Sequence, residues 1–329
     1  MTQATKNNFQ SLSAKETAQR LLSLDRIAVA IHARPDADAV GTGAALVKAL
    51  TALGKKAALL CPDRIPERLT FLIEGIPTVD SPELDFTVCV DVASRAQLGR
   101  LSETDVILAI DHHASNTPFA DNLTDGTASS AAEVLLGVID ELERITDVGL
   151  LADIAYPLYA AMSSDTGGFT YSNAGPKCHI AAARLIECGI DFADINHKLF
   201  NSKSASLLRA EGHIASNIKT ELSGEIAYAT VTRADRDRLG LTVSDFDTAV
   251  DIIRSLEGVK IALYVRENDD GTIRASMRST AFNVAQVAEK FGGGGHVRAA
   301  GCSPTATSAS EGATAIIDEI KTALMGKGE

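Results

Sequence analysis

Residues 26–33 read RIAVAIHA, an apolar run that ends near His32 and leads into the motif Pro35-Asp36-Ala37-Asp38. Three further apolar runs follow at 56–61 (KAALLC), 86–91 (FTVCVD) and 105–111 (DVILAID), with helical segments between or after them. Strands that are apolar on both faces and alternate with helices are typical of a parallel sheet covered on both sides. We therefore predict an α/β fold whose N-terminal domain has a mainly parallel sheet flanked by helices.

The pattern of the sequence changes after Leu222. The runs GEIAYATVT (224–232), GVKIALYVRE (258–267) and TIRASMRS (272–279) predict strands, and Asn268-Asp269-Asp270-Gly271 predicts a hairpin between the last two. Helices are expected at about 245–256, 283–291 and 309–325. This half is therefore predicted to be a smaller α/β domain with a mixed sheet. The predicted boundaries are 1–200 for the first domain, 201–220 for a helical linker and 221–329 for the second domain.

The chain has 329 residues and a net charge of −12, from 43 acidic and 31 basic residues. Long nucleic acids are bound largely by basic side chains that neutralise phosphates, so this acidity argues against such a partner. The polar start and the lack of any apolar run of about 18 residues predict neither a signal peptide nor a membrane anchor. Five widely spaced cysteines without a Cys-x-x-Cys motif fit a reducing compartment, so we expect a cytoplasmic protein.

Acids and histidines stand where three of the predicted strands of the first domain end. Strand one leads to His32, strand three ends in Asp91, and strand four ends in Asp111-His112-His113. In open parallel sheets, ligands bind outside the carboxyl ends of the strands. Taken alone, each Asp is more simply a turn former or a helix N-cap, and His32 is more simply a core histidine. Their combination at one edge of the sheet is what favours a functional site.

Several carboxylates at one edge would repel each other unless positive charge lay between them, and a pair of divalent cations supplies that charge. Mixed carboxylate and imidazole ligands favour Mn²⁺, with Mg²⁺ or Co²⁺ as alternatives, whereas a structural zinc site would use cysteines. Two such ions that share a bridging water are a common arrangement for phosphoester hydrolysis. The sequence therefore predicts a two-metal site.

The ordered motifs HARPDADA (32–39), VCVDVAS (88–94), DHHAS (111–115) and SSDTGG (163–168) resemble those of the DHH phosphoesterase family. The stretch GGGGHVRAAG (292–301) resembles the signature of the DHHA1 substrate domain of that family. The resemblance extends over about residues 20–325. It is closest to the two-domain oligoribonucleases that also dephosphorylate pAp, often called nanoRNases.

The resemblance implies six metal ligands, namely His32, Asp36, Asp38, Asp91, His112 and Asp165. In the family pattern, His32 and Asp36 hold one ion and Asp38 and Asp165 serve the other. Asp91 then bridges the two ions.

The resemblance also implies two catalytic positions beside the ligands. Asp111 is expected to orient His112, and His113 is expected to face the scissile phosphate.

In the second domain, the resemblance implies a clamp for the terminal phosphate or the nucleotide. Its expected members are Arg278, Ser279, Gly293, Gly294, Gly295 and His296, with Ser276 as a weaker candidate. Arginine offers a planar fork of donors that suits phosphate. Without the resemblance, the glycine run is more simply a flexible loop, and Arg278 is equally a solvated residue on the outer face of its strand.

We expect a metal-dependent hydrolase, acting between the two domains, that cleaves short oligoribonucleotides of two to five nucleotides and dephosphorylates pAp. Two alternatives stay open, namely a cyclic di-AMP phosphodiesterase and a nucleotide-binding sensor that does not turn its ligand over. The expected partners are short RNA or small nucleotides, with no long nucleic acid and no membrane. A homodimer is one of the oligomeric states that the sequence leaves open.

Overall fold

The structure is a computed structural model that describes residues 9–325 and divides into two compact units between Ser202 and Lys203. The polar start of the chain, which argues against a signal peptide, lies partly outside the described residues. The strands of the first unit are β1 (Arg26–Ala30), β2 (Lys56–Leu60), β3 (Thr78–Val79), β4 (Phe86–Val90), β5 (Val106–Asp111) and β6 (Asp121–Thr124). Its helices are α1 (Ala14–Leu22), α2 (Ala37–Ala52), α3 (Ala131–Thr146), α4 (Leu151–Asp165), α5 (Pro176–Glu187) and α6 (Phe192–Asn196).

The six strands of the first unit form one sheet in the order β3-β2-β1-β4-β5-β6, and every pair in it is parallel. The chain runs outward from β1 to β3 and then returns to place β4 on the other side of β1. The strand order therefore reverses between β1 and β4. Such a switch point opens a crevice at the carboxyl ends of the two strands, and ligands of parallel sheets bind there.

Both faces of this sheet are buried, as the apolar strands predict. Val29 and Val88 pack in the larger core with the helices, whereas Ala28 and Cys89 face a smaller core on the opposite side that includes Leu98. A capping box at Ser13 begins α1, as its Ser-x-x-Glu pattern predicts. Because the core fixes both faces, the strand ends are held in place beside the crevice.

The second unit contains the other six strands and five helices of the described residues. Its strands are β7 (Lys219–Glu221), β8 (Ile226–Val231), β9 (Ile261–Glu267), β10 (Ile273–Ser279), β11 (Gly294–His296) and β12 (Ala299–Cys302). Its helices are α7 (Ala205–Ser216), α8 (Arg233–Leu239), α9 (Ala249–Arg254), α10 (Val284–Lys290) and α11 (Ala309–Met325). The sheet order is β11-β12-β10-β9-β8-β7, with β8 and β9 parallel and the remaining pairs antiparallel.

The predicted fold class, a mainly parallel α/β domain followed by a smaller α/β domain with a mixed sheet, is confirmed. The segment predicted as a linker forms α7, whose Ala210 and Ile214 pack into a core of the second unit with Phe246. The exact boundaries of the functional domains stay a prediction. Within residues 9–325, no helix is both long enough and apolar enough to cross a membrane.

The glycine run is the place where the local prediction was wrong. It was expected as a loop, but Gly294–His296 forms β11 and pairs with β12 as a tight hairpin. A Cβ on Gly293 would lie 2.1 Å from the carbonyl oxygen of Gly301. Gly295 has a φ of +144°, and a Cβ there would lie 2.5 Å from the carbonyl oxygen of Ala299. Glycine is therefore required at these two positions by the close approach of the backbones.

Candidate metal centre and substrate-binding residues

The carboxyl ends of β1, β4 and β5 place His32, Asp91 and the segment 111–113 at the crevice. Asp91 follows β4 directly and has a φ of +57°, in the left-handed region that residues with side chains seldom adopt. Strained backbone of this kind persists where the surrounding structure enforces it, and it is concentrated at functional sites. The strain therefore marks Asp91 as a residue whose position matters.

All six predicted ligands lie in two groups of three at this edge of the sheet. One group consists of His32, Asp36 and Asp91, and the other consists of Asp38, His112 and Asp165. Within each group, one nitrogen or oxygen atom from each residue lies within 4.8 Å of the others. Asp36 and Asp38 lie at the start of α2 and Asp165 lies at the end of α4, so five separate elements contribute to the site. The structure thus brings together residues that the sequence spreads over 134 positions.

Asp91 joins the two groups through its two carboxylate oxygens. Its Oδ2 lies 3.5 Å from Nε2 of His32, and its Oδ1 lies 3.5 Å from Nε2 of His112. These separations are too long for good hydrogen bonds, and Oδ1 is buried without a hydrogen-bond partner among the described residues. Two ligand bonds of about 2.1 Å to one cation would span such a gap. The donor set and the unpaired oxygen therefore fit a site for divalent cations.

Asp38 is held by the N-terminus of α3 as well as by its own helix. Its Oδ2 accepts a hydrogen bond from the backbone N–H of Ala131 at 2.7 Å, and its Oδ1 accepts one from the hydroxyl of Thr42 at 2.9 Å. Burial and then the charge of Asp91 raise the pKa of Asp38 well above its usual range. A fully buried carboxylate in this position is stabilised by positive charge, which a cation would provide.

The two histidines that are predicted as ligands have raised pKa values because acidic side chains lie close to them. Burial alone would lower the pKa of His112, but contact with Asp91 and the charge of Asp38 raise it to about 9. For His32, burial is likewise outweighed by contacts with Asp36 and Asp91, which raise its pKa to about 10. An imidazole must be neutral to bind a metal, so a bound cation would take the place of these protons.

Asp111 does not orient His112, which corrects the prediction made from the sequence. Its Oδ1 lies 2.7 Å from Nδ1 of His113, and its Oδ2 accepts a hydrogen bond from the side chain of Asn116 at 2.5 Å. Nδ1 of His112 instead faces the carbonyl oxygen of Ala128 at 3.5 Å. The reason is the period of two of an extended chain, which puts residues 111 and 113 on one side and residue 112 on the other.

Two sets of side chains beside the site were not singled out from the sequence, namely Arg34 with Gln97, and Tyr171. A pocket of about 490 Å³ lies next to His32 and is lined by Arg34 and Gln97. Arg34 lies within the first motif, and this position is the sequence signal that could have identified it. Its backbone has a φ of +56°. The exposed ring of Tyr171 lies against Gly167, in the loop that follows Asp165.

In the second unit, strand pairing places several of the predicted clamp residues on one face of the sheet. Arg278 pairs with Ala299, and Ala299 pairs with His296 on its other side. Residues directly opposite each other in a sheet share a face, so Arg278 and His296 flank the small side chain of Ala299. Two residues further along the strands, Ser276 pairs with Gly301, and Gly301 pairs with Gly294, so these three residues form a second row on the same face. Together, these two rows place small residues between Arg278 and Ser276 on one side and the glycine hairpin on the other.

Ser279 lies apart from this face, although it was predicted as a clamp residue. Alternation along β10 points it to the side of Met277, which is buried in the core beneath the sheet. Its hydroxyl oxygen accepts hydrogen bonds from the backbone N–H groups of Ala281 and Phe282, at 3.2 and 2.6 Å. The structure therefore brings Ser276, rather than Ser279, alongside Arg278.

Comparison with known proteins gives a match for each unit. Residues 26–162 match the DHH family, N-terminal domain, and residues 223–325 match the DHHA1 domain. Over 281 residues, the chain is 30% identical to the bifunctional oligoribonuclease and PAP phosphatase NrnA of Thermus thermophilus, covering 84% of this chain and 83% of that protein. The chain belongs to the DHH family.

Two further proteins are similar to this chain over most of its length. The crystal structure of an exopolyphosphatase-related protein from Bacteroides fragilis superposes with a TM-score of 0.83 at 25% identity, covering 93% of this chain and 94% of that chain. The cyclic-di-AMP phosphodiesterase PdeA of Listeria monocytogenes is 23% identical over 83% of this chain, but the match covers only 44% of PdeA. The chain is thus a DHH-family phosphoesterase of the two-domain type.

Proposed function

We propose that this phosphoesterase hydrolyses short oligoribonucleotides of two to five nucleotides and dephosphorylates pAp, using Mn²⁺. The observation that carries the proposal is the pair of ligand groups, which are connected by the approach of Asp91 to both His32 and His112. The similarity to the oligoribonuclease and PAP phosphatase of Thermus thermophilus over most of both chains supports the substrate class. The acidity of the chain, with a net charge of −12, fits a substrate too short to need a broad basic surface.

The residues that would hold the ions are the six ligands already described. His32, Asp36 and Asp91 would hold one ion, and Asp38, His112 and Asp165 would hold the other. When bound, such ions supply an activated water and offset negative charge on the phosphate. Oxygen and imidazole ligands without cysteine favour Mn²⁺, with Mg²⁺ and Co²⁺ as alternatives.

His113 is the group of this chain that is best placed to act on the phosphate. Its Nδ1 is engaged by the buried carboxylate of Asp111, which also raises the pKa of His113. Asn116 holds the other oxygen of Asp111, so the carboxylate is fixed from both sides. This arrangement leaves Nε2 of His113 to donate a hydrogen bond to a phosphate oxygen as negative charge develops.

The second unit would bind the phosphate of the nucleotide through Arg278 and His296. The guanidinium of Arg278 has one intramolecular partner among the described residues, the carbonyl oxygen of Met277 at 3.1 Å, so donors remain for a ligand. Gly294 has no atom of another residue near its Cβ position, which leaves the backbone open to an anion.

The test is hydrolysis by the purified protein with Mn²⁺ of pAp, pGpG, pApA, cyclic di-AMP and a long single-stranded RNA. We expect turnover of pAp and of the two dinucleotides, and little cleavage of the long RNA. The double variant Asp111→Ala/His112→Ala should be inactive, whereas Asp85→Asn, an exposed acid at the start of β4, should match the wild type. Rapid cleavage of the long RNA, or equal turnover by the double variant, would refute the proposal.

Cyclic di-AMP is the second candidate substrate, because a cyclic-di-AMP phosphodiesterase is among the relatives. That relative is less similar and matches over less than half of its length, so linear substrates are favoured.

The five cysteines are all free, which fits the proposed cytoplasmic location.

A further inference from the structure

A row of basic side chains continues beyond the proposed clamp along β10. Arg274, Ser276 and Arg278 alternate with the buried Ile273, Ala275 and Met277, so the three polar residues share the other face of the sheet. On the neighbouring strand, Arg266 lies directly opposite Arg274. We call Arg266, Arg274, Ser276 and Arg278 the basic strip.

The pairing of Arg266 with Arg274 is unfavourable for the sheet itself. Like charges directly opposite each other on one face of an antiparallel pair repel. The position gains nothing from hydrophobic packing either, since Arg274 is exposed. An arrangement that costs stability and fills no core is expected where a ligand of opposite charge binds.

Nearby acids do not neutralise Arg274. Glu267 accepts hydrogen bonds from the backbone N–H groups of Arg233 and Ala309, at 2.9 and 3.4 Å. Asp269 forms an ion pair with Arg236 at 2.5 Å, and Asp270 accepts hydrogen bonds from Thr272 within the hairpin turn.

Arg266 donates from Nε to the side chain of Asn268 at 3.1 Å, a neutral partner that leaves its charge in place. The strip therefore offers fixed positive charge to an anion.

We propose that Arg274 and Arg266 form a second phosphate subsite, which binds the sugar-phosphate chain of an oligonucleotide beyond the nucleotide held at Arg278. This inference rests on the proposed function and deepens it. Arg274 and Arg278 are four residues apart, or about 14 Å along the strand. The two phosphates of pAp lie on one ribose and cannot reach across that distance, whereas a chain of several nucleotides can. The strip therefore distinguishes oligonucleotides from mononucleotides.

The experiment compares Arg274→Ala, Arg266→Ala and the wild type in two assays. The first measures KM with Mn²⁺ for pAp and for a five-nucleotide RNA. The second measures the Kd of a fluorescent five-nucleotide RNA in EDTA, where no hydrolysis occurs, over a range of salt concentrations. Arg254→Ala removes an equal charge from an exposed site on α9 and serves as the matched control.

We expect the ratio of KM for the five-nucleotide RNA to KM for pAp to rise about tenfold in Arg274→Ala. The slope of log Kd against log salt should fall by about 0.7, the change for one lost phosphate contact on a single strand. Melting temperatures should equal or exceed that of the wild type, because one of two opposed like charges is removed. The control should change none of these values.

Equal effects on pAp and on the five-nucleotide RNA, or no effect on either, would overturn the second subsite. Failure of the proposed function is a separate outcome, seen as no hydrolysis of any substrate by the wild type. The EDTA assay still decides the subsite in that case, because it depends on binding alone.

Discussion

The metal centre of the first unit and the basic strip of the second unit are built in opposite ways. The metal centre gathers four carboxylates, of which Asp38 and Asp91 are almost fully buried, and backbone N–H groups fix it in place. The strip places arginines along one face of a sheet, with small residues such as Ala299 and Gly301 beside them. The metal centre is rich in acidic groups, whereas the strip is rich in basic groups. Buried charge demands a cation at a fixed position, whereas exposed charge tolerates ligands of varied length.

The largest expected effect comes from removing the charge of Asp91, which approaches a histidine of each ligand group. Asp91→Asn keeps the shape of the side chain but weakens binding of both ions, so kcat/KM for pAp should fall about 1000-fold or more, equivalent to about 4 kcal/mol. Metal titration by calorimetry should show the loss of affinity directly. Asp85→Asn is the control, and activity of Asp91→Asn within tenfold of the wild type would rule out a shared ligand.

Metal binding should stabilise the first unit more than any single contact on its surface. Raising free Mn²⁺ from zero to about 100 times its Kd should add about 2.7 kcal/mol to the free energy of unfolding. That change raises the melting temperature by several degrees, measurable by scanning calorimetry after EDTA treatment. Asp91→Asn should show a much smaller shift. An equal shift in both proteins would place the ions elsewhere.

Asp111→Asn tests whether Asp111 supports catalysis through His113 or metal binding through His112. Because Asp111 contacts His113 and not the ligand His112, the variant should lose about 10- to 100-fold in kcat while its metal affinity stays near that of the wild type. Single-turnover kinetics and metal titration together measure the two quantities. A loss of metal affinity equal to the loss of kcat would restore the earlier expectation that Asp111 serves His112.

The smallest expected effect concerns the hairpin of the second unit. Gly295→Ala forces a side chain into left-handed backbone and against the carbonyl oxygen of Ala299, so the second unit should lose about 1–3 kcal/mol of stability. Gly294→Ala meets open space and should change the stability by less than about 0.5 kcal/mol. Urea denaturation followed by circular dichroism measures both. Equal stabilities would mean that the close approach at Gly295 relaxes without cost.

The sequence predicted the first sheet well because its strands are buried on both faces. Continuous apolar runs such as RIAVA indicate such strands directly. Each observed strand ends within a few residues of its predicted end. The edge strand β6 was missed because its sequence, DNLT, is polar and short. These residues form a strand because they pair with β5. Local propensity does not report pairing with another strand.

The sequence predicted which residues belong to the candidate site better than it predicted the contacts between them. Motifs at strand ends identify His32 and Asp91, since topology alone brings such ends to one edge. The contact from Asp111 to His113 could have been deduced from alternation, but the position of Asp38 against the N-terminus of α3 depends on packing between distant elements. Likewise, the basic strip becomes visible only when β9 and β10 are placed in register.

The left-handed backbone of Asp91 has a consequence for anyone who tries to make this protein more robust. Glycine at position 91 would relieve strain worth about 1–3 kcal/mol and would also remove a buried carboxylate. A heat-based screen carried out without metal and without an activity readout would therefore enrich variants that have lost this residue. Resistance to heat and turnover are opposed at a single position, so directed evolution must select for both together.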